Sequence, residues 1–376
     1  MSGDPRHQRL ADLLLDYSCA VQPGETVFIE AVDTPASFVN LLLRGVAQRD
    51  AVPLLRLDSQ EVRRVQLQVA SEAQLKAQAA ADLELMRRAD AYIGIRGADN
   101  ASELSDVPSE RMRLYETHHF RPVHLELRVP KTRWVVLRWP SPAMAQAARR
   151  STAAFEDFYF DVTTFDYPRL SKAAEPLHQL MEASDRVRLV APGTDLRFNI
   201  GGIPAVRCDG HRNIPDGEVF TAPIIDSVEG TIAFNTPSAY HGVVHDGVRF
   251  TFREGKIVDA SSSQPEQLAS LLDADEGARY IGEFALGFHP LIREPMLDTL
   301  FDEKIAGSLH FTPGNAYESA DNGNRSKIHW DLVLRMLPEH GGGEVWFDDR
   351  LIRKDGRFVV PELEGLNPDV LTGDAS

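Results

Sequence analysis

His329 and Asp331 stand two residues apart in the run Ser326-Lys327-Ile328-His329-Trp330-Asp331. On an extended segment their side chains leave the same side, with Cα atoms roughly 6.6 Å apart, so one ion can hold both. His310 lies upstream in the same Gly-, Ser- and Asn-rich stretch, where a neighbouring strand would bring a second imidazole. Two imidazoles and a carboxylate suit a divalent metal. Tyr317 falls between them in sequence. It is either a packing residue or, beside a metal, a phenol placed to donate to a developing oxyanion.

Two further carboxylates stand out. Glu218 follows the Pro215-Asp216-Gly217 turn and is the first side chain of the strand that the turn opens. Glu283 sits in Ile281-Gly282-Glu283-Phe284-Ala285-Leu286-Gly287, where apolar and small neighbours predict burial. A buried carboxylate needs a compensating charge, which a metal supplies. A cap or salt bridge for Glu218, and the open side of an edge strand for Glu283, are the plainer readings. His211 and His289 lie close to these motifs and are candidates for substrate contacts or for supporting the ligands. His241 and His245 have the spacing of a helical metal pair, but Gly242 and the Asp246-Gly247 turn argue for a hairpin.

Other chemistries lack their residues. The chain has no G-x-S-x-G elbow, no H-E-x-x-H helix and no cysteine with a convincing partner. Water activated by a metal is the best supported nucleophile. Taken alone, His310, His329 and Asp331 also form the two-His, one-carboxylate set of a non-haem iron oxygenase, so a ring-cleaving dioxygenase is the alternative. A non-catalytic metal-binding protein is a third reading. Glu218 and Glu283 discriminate, because one iron leaves them without work whereas two metals need about five ligands.

The elements that must position these residues fall into two halves. At 376 residues the chain exceeds one ordinary core, so two domains are expected. Over residues 1–165, apolar strands at Thr26–Ile29, Val52–Leu57, Ala91–Ile95 and Trp134–Leu137 alternate with helices. Those helices are predicted from Pro5, from Pro35 to about Gln48, over Glu72–Arg88 and over 108–118. That alternation is the pattern of an α/β, doubly wound parallel sheet. No G-x-G-x-x-G or G-x-x-x-x-G-K follows a strand, so the domain reads as a scaffold. Asp99-Asn100 and His118-His119 are read as surface loop residues. Residues 166–184 are predicted to connect the domains by a helix. Residues 185–376 carry Asp-Gly and Glu-Gly turns between short strands, the form of a largely antiparallel α+β domain. Helices are predicted there at Gln264–Leu272 and Pro290–Phe301, and the tail after Pro361 is expected to wrap the surface or be disordered.

Composition narrows the partners. A net charge of −16 repels phosphate backbones, which argues against nucleic acid, and attracts cations such as the free amino terminus of a peptide. Cys19 and Cys208 give neither a disulfide framework nor a Cys-type zinc site. No apolar run is long enough for a membrane span and no h-region opens the chain, so a cytoplasmic protein is expected.

Longer motifs carry a family likeness. They include Val21-Gln22-Pro23-Gly24-Glu25 and Asp106-Val107-Pro108 in the first half. In the second half they are Gly193-Thr194-Asp195-Leu196, N-I-P-D-G-E-V-F-T-A-P at 213–223, G-E-F-A-L-G at 282–287, F-D-E-K-I-A-G-S-L-H-F at 301–311, Gly314-Asn315-Ala316-Tyr317 and S-K-I-H-W-D at 326–331. In this order they resemble the metalloaminopeptidases that include aminopeptidase T, aminopeptidase S and PepS. The resemblance implies an enzyme that removes N-terminal residues from short peptides with two divalent ions per chain, of zinc, cobalt or magnesium. It implies metal ligands at Glu218, Glu283, His310, His329 and Asp331, with Tyr317 as the active-site tyrosine; Glu283 or Glu218 is the catalytic carboxylate expected to bridge the ions or to shuttle the proton. It also implies a homodimer, with the first domain walling the substrate cavity. Thr312-Pro313 and His289 depart from the pattern, which bears on cavity shape and substrate preference.

Overall fold

Val27-Phe28-Ile29 and Tyr92-Ile93 are buried on both faces, which is why they form the inner strands of a parallel sheet. The sheet runs Val52–Asp58, Thr26–Val32, Ala91–Arg96, Arg133–Arg138, Asn213–Ile214, with every pairing parallel. Phe28 and Tyr92 pack with Ala79 and Met86 of the helix Glu72–Arg88. Val52–Asp58 lies at the edge and leaves Val52 and Leu57 exposed. The computed structural model describes residues 4–373. The chain divides into two units: the first reaches Phe165 and takes in Gly210–Ile214, and the second holds Asp166–Asp209 and the chain from Pro215 on. The helix Tyr167–Ala183 thus belongs to the second unit.

In that second unit all strand pairing is antiparallel, in an eight-stranded sheet, a five-stranded sheet and the hairpin Ser238–Tyr240 with Val243–His245. The five-stranded sheet is ordered Leu332–Arg335, Ser308–Pro313, Ile281–Gly287, Glu218–Thr221, Val206–Cys208. Its register decides where the chemistry goes. Ala285 pairs with His310, Glu283 with Thr312, Gly287 with Glu218 and Glu218 with Cys208. Residues paired across strands share a face, so Cys208, Glu218, Glu283, His310 and Thr312 all project from one side. Val219, Phe284, Leu286, Leu309 and Phe311 project from the other. There Phe284 and Phe311 meet Phe198 of the eight-stranded sheet, with centroids 5.0 and 5.1 Å apart.

The register shifts between Ile281 and Glu283, a bulge at Gly282 that ends the regular pairing just beside Glu283. Gly282 makes the bulge possible: a Cβ there would lie 2.4 Å from the carbonyl oxygens of Gly314 and Asn315.

Four parts of the sequence reading are corrected. The helix expected over Pro290–Phe301 is confined to Thr299–Asp302, because Pro290 and Pro295 break the run that the leucine spacing imitates. The tail, expected to wrap the surface or be disordered, is ordered over 361–373: short helices at Pro361–Leu366 and Pro368–Thr372 bury Leu363, Leu366 and Leu371, and residues 374–376 lie outside the described residues. The helix placed over 108–118 covers Ser109–Tyr115 and continues as a wider π-type helix, Glu116–Arg128, that accommodates Pro122. A further helix, Gln60–Val69, was not anticipated; its helical pattern carries few buried apolar residues.

Candidate metal centre

Three strands and two loops bring the predicted residues together. His310 Nε2 is 2.7 Å from Glu283 Oε1, and its Nδ1 is 3.5 Å from Glu218 Oε2. His329 Nε2 lies 3.3 Å from Asp331 Oδ1 and 3.6 Å from Glu283 Oε2. Glu218, Glu283 and His310 can converge on one point, and Glu283, His329 and Asp331 on a second, with ligand atoms within 4.8 Å of one another in each group. Glu283 is common to both. His329 bridges to Gly314 on extended backbone and Asp331 immediately precedes the strand Leu332–Arg335, so the two-residue spacing works as expected.

The ring of His329 is oriented by its Nδ1, 2.8 Å from the Asn315 carbonyl oxygen, which accepts from it. The Thr312 hydroxyl donates to Asp331 Oδ1 at 2.7 Å. Asp216, Gly217 and Glu218 are all buried. Gly217 has φ +142° and sits against His289, where a Cβ would come 2.9 Å from that of the histidine, so only glycine fits before Glu218.

The charges are tightly coupled. Burial alone would lower His310, but the Glu218 charge and the hydrogen bond to Glu283 outweigh it and bring it up to about 10. Burial likewise opposes protonation of His329, and Asp331 outweighs it, again to about 10. Burial raises Glu283 against the pull of His310. Asp331 is held below the ordinary carboxylate range: the His329 charge and hydrogen bond overcome the effect of burial. Dehydration, then the charges of Glu283 and Asp331, keep the Tyr317 phenol protonated, although 49% of the residue is open to solvent. Its ring lies 4.6 Å from that of His329 and 5.8 Å from that of Phe220.

Sequence reasoning missed Glu303, Lys304 and Asp216. Glu303 joins His310 and Asp331 in a third group of converging ligand atoms. Lys304 is fully buried, with Nζ 2.6 Å from Glu218 Oε1, 2.5 Å from Glu303 Oε1 and 3.6 Å from Asp216 Oδ1. A lysine followed by Ile305-Ala306-Gly307 was the available signal, since a charge entering an apolar run needs a partner. His289 stays near but does not join these groups; its Nδ1 accepts from the Leu291 N–H at 3.3 Å. His211 is elsewhere, its ring 4.4 Å from that of Tyr17 in the first unit. Asp99 and Asn100 are exposed as expected. His119 is not: it is buried, with Nε2 2.6 Å from Asp82 Oδ2. His245 faces Trp330, on the hairpin anticipated for it.

The donor set fits divalent metal. Glu218 Oε2, Glu283 Oε2 and His310 Nδ1 are buried and have no hydrogen-bond partner among the described residues. Leaving three such atoms bare is costly unless something binds them.

A buried cluster of carboxylates and imidazoles on one face of an antiparallel sheet, in a chain that also carries a parallel α/β unit, defines a metalloenzyme class. The chain belongs to the thermophilic metalloprotease (M29) family, whose model matches residues 4–341. It is 28% identical to aminopeptidase T of Thermus thermophilus, over 94% of this chain and 98% of that protein. The solved wild-type AmpT from Thermus thermophilus superposes with a TM-score of 0.79 at 24% identity, covering 95% of this chain and 99% of that one. The structure of 2,5-dihydroxypyridine dioxygenase from Pseudomonas putida KT2440 gives 0.63 at 13%, covering 97% and 100%. Both structural likenesses bear on the fold alone. In the described residues no helix is long and apolar enough to cross a membrane.

Proposed function

We propose that this metalloprotease is a dinuclear aminopeptidase that removes the N-terminal residue of short peptides. The observation that carries the proposal is a charge deficit. Asp216, Glu218, Glu283, Glu303 and Asp331 belong to adjoining groups that share, among the described residues, the ammonium of Lys304, which contacts the first, second and fourth of them. With neutral imidazoles, two divalent ions supply the four positive charges that are missing. Glu218, Glu283, His310, His329 and Asp331 would hold them, with Glu303 as a sixth candidate. Zinc, cobalt or magnesium would serve there. Bound there, such ions polarise a carbonyl and lower the pKa of a coordinated water.

The protein's own groups do the rest. Glu283 is the better general base, because Glu218 Oε1 is already held by the Lys304 ammonium at 2.6 Å. Burial pushes Glu283 above the ordinary carboxylate value, which suits it to accept the proton of the attacking water and pass it to the leaving amine. The Tyr317 hydroxyl, protonated and at the open side of the cluster, donates to the carbonyl oxygen as negative charge builds. A carboxylate not engaged by an ion binds the free amine of the substrate. On the family resemblance we read the enzyme as a cytoplasmic homodimer.

Oxygen chemistry at His310, His329 and Asp331 is the weaker reading, since membership of a metalloprotease family and the two glutamates both favour hydrolysis. Metal analysis with a peptide assay tests the choice. About two equivalents of zinc or cobalt with release of N-terminal residues is the expected result. One iron with oxygen uptake would overturn it. Thr312→Val keeps the side-chain shape and removes the hydroxyl that orients Asp331. It is expected to weaken metal binding by ~10–100-fold in equilibrium dialysis. Unchanged affinity would show that the hydroxyl does not position Asp331.

A further inference from the structure

Lys304 enters the cluster from the turn after Thr299–Asp302 and is fully buried. Its Nζ is within 3.6 Å of oxygens from three carboxylates, Glu218 at 2.6 Å and Asp216 at 3.6 Å from one segment and its chain neighbour Glu303 at 2.5 Å. An ammonium has three N–H donors and can hold several carboxylates. Three acidic groups around one centre, shielded from water, is also the arrangement that a hard cation collects. A fourth potential ligand lies beside them. Cys208 is paired directly with Glu218 across the strands, and Cys208, Asp216 and Glu218 offer ligand atoms within 4.8 Å of one another.

We propose that the Lys304 ammonium is a resident cation, occupying a pocket of Asp216, Glu218 and Glu303 with Cys208 at its edge that would otherwise bind a divalent metal. Tied to the backbone, this cation cannot be chelated or exchanged. It takes Oε1 of both Glu218 and Glu303, leaving each with one oxygen for other partners. It therefore sets how many ions the cluster holds and keeps them on the Glu283 side. The inference builds on the metallopeptidase reading and concerns an adjoining pocket that shares Glu218 and Glu303 with that centre.

Lys304→Met tests it, because methionine retains much of the stem and drops the charge. Wild type, Lys304→Met and the double variant Lys304→Met/Cys208→Ser are stripped with chelator, loaded with cobalt(II) and compared by metal analysis and near-ultraviolet absorption. The single variant is expected to take up about one more ion per chain than wild type, with a thiolate-to-cobalt charge-transfer band. That band should be missing from wild type and from the double variant. Equal metal content in wild type and Lys304→Met, without the band, overturns the proposal. A variant that folds only when cobalt is added supports it, since the ion then replaces the missing charge. One that folds neither with nor without cobalt overturns it. A wild type that binds no cobalt counts against the peptidase reading, while the gain in the variant still decides the role of Lys304.

Discussion

Glu283→Gln is expected to lower the turnover of amino-acid anilides by about a thousandfold, ~4 kcal/mol of transition-state stabilisation, with the fold intact. Glutamine has nearly the same shape, and the strand Ile281–Gly287 is pinned by hydrogen-bonded neighbours on both sides. The amide cannot accept the proton of water, and it offers one acceptor oxygen where the carboxylate now faces both His310 and His329. Measuring metal content alongside turnover separates the two losses. If both ions stay and turnover collapses, Glu283 is the base. If an ion leaves, Glu283 is chiefly a bridge between the two groups of ligands. His329→Ala is expected to abolish turnover as well, through loss of an ion. Activity retained in both variants at saturating metal would sink the assignment, and circular dichroism checks that the fold survives.

Metal affinity should climb steeply with pH. Without an ion, His310 and His329 titrate at about 10 rather than at the ordinary 6.5. Their folded-state values are raised, so the protons stabilise the ion-free fold fully below pH 6.5, and this contribution is lost as pH rises through about 10. Coordination requires neutral imidazole, so at pH 7 loading must expel these protons. Each expelled proton steepens affinity by up to ~10-fold per pH unit, ~100-fold for both histidines. Calorimetry in buffers of different ionisation enthalpy counts the protons released. Affinity that is flat between pH 6 and 9 would show that the histidines are not displaced from their protons by metal.

The legible part of the centre was the part encoded by strand geometry. The spacing of His329 and Asp331 has meaning because extended backbone repeats every second residue, and Glu283 was conspicuous because apolar neighbours announced its burial. The alternating α/β pattern of the first half likewise follows from local periodicity. Asp216 was hidden in a Pro-Asp-Gly turn, a composition that ordinarily lies on the surface, yet the chain around it is buried. Glu303 and Lys304 follow a one-turn helix, and the Lys304 carbonyl accepts from the distant His289 N–H, so no spacing rule points at them. The helix expected over Pro290–Phe301 differs for the opposite reason: its leucines fall near helical spacing, but Pro290 and Pro295 interrupt the backbone hydrogen bonds.

The pairing of Ala285 with His310, and of Phe284 with Phe311, also makes the ions proofreaders of the fold. A slip of one residue in either strand would turn the phenylalanines toward the cluster and the ligands into the hydrophobic layer. Burying Glu283 and His310 in that layer is itself costly, since the strands Ile281–Gly287 and Ser308–Pro313 are buried throughout, and metal binding adds to the difference between registers. Metal recognises only the correct one and stabilises it by an amount that grows with the logarithm of free ion concentration. Divalent metal supplied during refolding is therefore expected to raise the yield of correctly folded chain, which refolding with and without chelator measures.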